Sequence, residues 1–90
     1  MNVKELARLA ERQQLSEEHS RQELLDHLRN IDPEVAALAE YVFDDQSDAA
    51  LWLTRSVITL GGITPLQALA KGKREDVPRV LNGILYGLPE

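Results

Sequence analysis

Apolar residues recur along the chain at helical spacing, in short stretches separated by turn-forming residues. Val3, Leu6, Ala7 and Ala10 share one face of a segment from about Val3 to Gln14, which Asn2 can cap with Glu5 at the third helical position. Ser20-Arg21-Gln22-Glu23 forms a capping box ahead of Leu24, Leu25, Leu28 and Ile31, while Ser16 followed by Glu17 and Glu18 offers an earlier start to the same helix. Asp32-Pro33 then ends that helix and opens the next, because aspartate suits the N-cap and proline the first helical position. Val35, Leu38, Ala39 and Val42 form the buried stripe of this third helix.

Asp44-Asp45-Gln46-Ser47 breaks the period. A short helix from roughly Ser47 to Arg55 is expected to turn Ala49, Trp52 and Leu53 inward, with Asp44, Asp45 and Asp48 capping its positive end. Residues 56–63 read as a loop whose Gly61-Gly62 pair allows positive φ or close backbone approach. Thr64-Pro65 repeats the cap-then-proline signal and opens a helix to about Ala70, which Gly72 can terminate. The last helix spans about Glu75 to Tyr86, with Pro78 tolerated in its first turn. Val77, Val80, Leu81, Ile84, Leu85 and Leu88 make the most regular apolar stripe in the chain. Its helical period outweighs the hairpin that Asn82-Gly83 would otherwise suggest.

Composition supports the same fold class. Leu and Ala supply 24 of the 39 hydrophobic residues, against 10 from Val and Ile, a balance that favours helix over sheet. The expected fold is all-α, a small bundle of five to six short helices. With 90 residues the chain has a thin core and leaves a large share of its surface exposed, which a partner subunit could cover, so a homodimer is one possible state.

Charge narrows the function. Residues 1–45 carry 11 acids and 5 bases, residues 46–90 carry 4 acids and 5 bases, and the net charge is -5. Nucleic-acid binding draws most of its affinity from a basic face, so DNA is a poor partner for this chain alone; Lys71, Lys73 and Arg74 are a small local cluster. No cysteine is present, which removes disulfides and thiolate metal sites and fits a reducing compartment. No apolar run is long enough to span a membrane and Met1-Asn2-Val3-Lys4-Glu5 does not read as a signal peptide, so a soluble cytoplasmic protein is expected.

Catalytic chemistry is poorly supplied. His19, Glu23 and His27 are spaced to share a helical face and could hold a metal, but no fourth ligand is evident and a solvated polar face is the plainer reading. None of the four serines has a His–Asp arrangement, and Gly61-Gly62 lacks the spacing of a phosphate loop. The expected role is binding rather than catalysis, with no cofactor or metal. On the back of the last helix, Arg79, Asn82, Gly83, Tyr86 and Gly87 lie away from the apolar stripe. Two glycines one turn apart would let a partner approach, and Tyr86 offers an aromatic anchor. The plainer alternative is that the glycines only weaken the helix and Tyr86 covers local apolar surface.

The C-terminal half carries a set of ordered motifs: Ala39-Glu40-Tyr41-Val42-Phe43-Asp44-Asp45, Ala49-Ala50-Leu51-Trp52-Leu53, Leu60-Gly61-Gly62-Ile63-Thr64-Pro65-Leu66, Val80-Leu81 and Tyr86-Gly87. Over about residues 36–88 this resembles the toxin-binding domain of the Xre/MbcA/ParS antitoxin family. The resemblance implies an all-helical domain that neutralises a RES-domain, NAD-consuming toxin by placing its C-terminal end in the toxin's active-site cleft. Carried over to this chain, the blocking element would be Tyr86, Gly87, Leu88, Pro89 and Glu90, flanked by Arg79, Asn82 and Gly83. The chain accordingly divides into an N-terminal helical extension (1–35), too short for the helix-turn-helix domain usual in that family, and an antitoxin-like toxin-binding domain (36–90). Two other functions remain open: a DNA-associated transcriptional regulator, and a phage- or plasmid-borne adaptor that uses the domain against another protein.

Overall fold

The computed structural model describes residues 2–12 and 18–87, with the backbone alone described for Arg12, Glu18 and His19. Among these residues the fold is all-helical: α1 (Val3–Arg12), α2 (Glu18–Ile31), α3 (Pro33–Phe43), α4 (Gln46–Leu53), a single 3-10 turn (Ile58–Leu60), α5 (Pro65–Ala70) and α6 (Asp76–Leu85). One isolated antiparallel bridge joins Val57 to Ile63.

Local chemistry sets most of these boundaries. Asn2 Oδ1 accepts from the Glu5 amide at 2.9 Å and starts α1. Asp32 Oδ1 accepts from the Val35 amide at 3.3 Å, with Pro33 at the first helical position of α3. Asp44 ends α3 in the left-handed region (φ 52°), a conformation aspartate tolerates better than most residues. Thr64 and Gln67 form a complete capping box at α5, at 2.9 and 3.1 Å. The end of α5 is a Schellman motif: Lys73 N donates to Ala68 O at 2.9 Å and Gly72 N to Leu69 O at 3.2 Å, with Gly72 at φ 79°.

Several boundaries differ from the sequence reading: α4 ends at Leu53 rather than about Arg55, and α6 runs from Asp76 to Leu85 rather than from about Glu75 to Tyr86. Ser20 lies inside α2, which already runs from Glu18, so Ser20-Glu23 is not the cap of that helix; Ser16 and Glu17 fall outside the described residues, as do Gln13 and Gln14 at the expected end of α1. Helix α4 begins at Gln46 rather than Ser47, because Asp45 Oδ1 takes the cap by accepting from the Asp48 amide at 3.0 Å.

Among the described residues the core is one cluster that reaches from Leu6 to Leu81. Leu6 and Ala7 of α1, Leu24, Leu25 and Leu28 of α2, and Val35, Ala36 and Ala39 of α3 are buried in one cluster with Trp52, Leu53, Leu66, Val77 and Leu81. Helix α2 packs on α3 and α4, α1 on α5 and α2, and α6 on α3. Trp52 is its largest fully buried side chain, with its ring 5.7 Å from that of Phe43 and tilted by 39°. Gln67 ties the two halves together: its carbonyl oxygen accepts from the Thr64 amide, while its amide nitrogen donates to Glu11 of α1. No helix is long and apolar enough to cross a membrane among the described residues.

Candidate functional site

Helix α6 begins beside α3. Arg74, two residues before α6, donates from Nε to Asp32 Oδ2 at 2.9 Å and from an Nη to Asp32 Oδ1 at 3.1 Å. Those bonds hold the guanidinium pKa above its ordinary value, so Arg74 stays charged. From this anchored start the buried residues Val77 and Leu81 key α6 to the core, with Val80 and Ile84 packed at its edge.

The opposite face carries the residues expected to meet a partner. Arg79, Asn82 and Tyr86 stand at positions i, i+3 and i+7, which places them on one side of the helix, and all three are exposed. Arg79 is held by an i,i+3 ion pair with Asp76 at 3.1 Å. Gly83 is half-buried within the helix. Gly87 lies beyond it, in the left-handed region at φ 79°, where its amide donates to Ile84 O at 3.0 Å while Tyr86 N donates to Asn82 O at 3.0 Å. This is a helix-terminating geometry that requires glycine at position 87, so its absent side chain answers first to backbone conformation. Leu88, Pro89 and Glu90 lie outside the described residues.

Leu85 departs from its expected place in the buried stripe. It is 39% exposed, because the last helical turn runs past the core and leaves that position with less to pack against. Together with Tyr86, 79% exposed, it gives α6 an apolar tip. Three more large apolar side chains are exposed that sequence reasoning did not single out: Tyr41, Leu51 and Ile58. Ile58 was hidden by the reading of residues 56–63 as plain loop; its only signal was its position between buried Val57 and Leu60 in a segment too short to show a period.

The His19–Glu23–His27 grouping gains no geometry. His19's side chain is outside the description, and no group of three His, Asp or Glu side chains gathers to hold a metal ion among the described residues. Glu23 and His27 line a small cleft of about 130 Å³ between α1 and α2, with Leu6, Leu9, Ala10, Ser20 and Leu24 as its other walls.

An all-helical domain with an exposed apolar tip on its last helix has the character of a protein-binding module. Comparison with known families gives the class: the antitoxin Xre/MbcA/ParS C-terminal toxin-binding domain matches residues 38–87. The chain belongs to this antitoxin family, and the partner class of the matched domain is a toxin. No curated protein and no solved structure matches the chain.

Proposed function

We propose that this protein neutralises a RES-type, NAD-consuming toxin, and that it does so by filling the toxin's active-site cleft with the end of α6 and the residues that follow. The observation that carries this reading is Tyr86: a large aromatic side chain, 79% exposed, at the C-terminal cap of a helix fixed to the core by Val77 and Leu81. Such a side chain adds little to folding and is the type that anchors interfaces. The Gly87 turn ends the helix immediately after that anchor. Arg79 and Asn82 on the same face can make polar contacts around it.

Residues 1–35 act, in this reading, as a buttress to the toxin-binding unit. Leu24, Leu25 and Leu28 share a core with Trp52, and Glu11 accepts from Gln67 at the start of α5. Their contribution would be to hold the domain rigid.

The test is co-purification with a RES-domain toxin followed by an affinity measurement on Tyr86→Ala. A loss of about 2 kcal/mol or more, roughly 30-fold in Kd, is expected of an anchor. An affinity equal to that of the unaltered chain would remove Tyr86 from the interface.

A further inference from the structure

Five large apolar side chains are exposed among the described residues: Tyr41, Leu51, Ile58, Leu85 and Tyr86. All five fall within residues 38–87, the stretch that matches the toxin-binding domain. Ile58 is the most exposed, at 85%. A β-branched side chain so exposed contributes almost nothing to the core, yet its backbone is held firmly. Val57 N donates to Ile63 O at 3.0 Å, Leu60 N and Gly62 N both donate to Val57 O at 3.0 and 3.1 Å, and Gly61 N donates to the carbonyl of Ile58 itself at 2.9 Å. On either side, Val57 and Leu60 are buried and pin the turn to the core. Ile58 is therefore presented outward from a pre-ordered turn, and binding through it would cost little ordering entropy.

The turn also packs against α6, the helix whose tip bears Leu85 and Tyr86. Its flanking side chains, Ser56 and Thr59, are exposed and uncharged, so an apolar surface could close over Ile58 without burying an unpaired charge. We propose that Ile58 is a second apolar anchor for the toxin, and that the docking surface extends from the tip of α6 across to the 3-10 turn. This rests on the reading that the Tyr86 end engages a RES-type toxin. The occupant is the toxin rather than a second copy of this chain, since the exposed apolar side chains coincide with the domain whose partner class is a toxin.

The experiment compares the full chain with Ile58→Ser and Tyr86→Ala, measuring Kd for a purified RES-domain toxin, melting temperature and sedimentation. Ile58→Ser is expected to raise Kd by about tenfold or more, with melting temperature and sedimentation unchanged. An unchanged Kd for Ile58→Ser beside a weakened Tyr86→Ala would overturn the second anchor while leaving the α6 reading intact. Unchanged affinity in both variants, or no complex with the unaltered chain, would overturn the reading underneath and this extension with it. A change in sedimentation with no change in Kd would assign the surface to a second copy and overturn the toxin as its occupant.

Discussion

The carboxylate of Asp32 performs two tasks at once: it caps α3 by accepting from the Val35 amide, and it receives two hydrogen bonds from Arg74 at the entrance to α6. One side chain thus sets the start of the helix that packs beneath α6 and the start of α6 itself. Asp32→Ala is expected to lose about 1 kcal/mol from the cap alone, and the tie to Arg74 besides. Asp32→Asn keeps an acceptor for the cap and should retain more stability. Chemical denaturation of both variants, alone and with Arg74→Ala, would separate the two roles, since a cap operates without Arg74 and the tie does not. The raised Arg74 pKa means that its contribution is complete below the ordinary arginine value and is lost only in strong alkali, so this pair should leave stability flat through neutral pH.

Trp52 is the packing centre and the only tryptophan. Trp52→Ala should cost about 3–5 kcal/mol, a large share of what a small domain has in total. Trp52→Phe should cost much less, because the indole Nε1 is buried with no acceptor among the described residues and its removal breaks no hydrogen bond. Thermal melts followed by circular dichroism at the helical band would rank the two; equal losses would mean that the indole nitrogen carries weight which the packing does not show.

Gly61 and Gly62 both sit at φ 83°, in the turn that displays Ile58. A Cβ at either position would meet nothing within 4 Å, so the cost of a side chain there is backbone conformation alone. Gly61→Ala should lower stability by about 1–2 kcal/mol, and Gly61→Asn by less, since asparagine enters the left-handed region more readily. A melting series over the three residues checks the order.

Much of this architecture could be read in the chain because its punctuation is local. Asp32-Pro33 and Thr64-Pro65 carry their own cap and first helical residue, and the structure uses both as expected. The family could be read as well: motifs spread over 39–87 anticipated a domain match at 38–87. What failed or was missed depended on competition or on distance. Ser20-Glu23 is a sound capping box that a helix starting earlier overrode; Asp45 does cap α4 as expected, one residue ahead of the expected start. The Glu11–Gln67 bond joins residues far apart in sequence, which no periodicity can signal. The exposure of Leu85 depends on where the core stops beneath α6, and that of Ile58 on a turn too short for a pattern.

If the residues beyond α6 block a toxin's active site, the NAD consumption of a purified RES-domain toxin will report it. The toxin is titrated with the full chain and with a chain shortened after Leu85, both first shown by circular dichroism and melting to be folded. If the end is the plug, the full chain abolishes NAD loss and the shortened chain lets it resume. Complete inhibition by the shortened chain at the same concentrations would contradict the account.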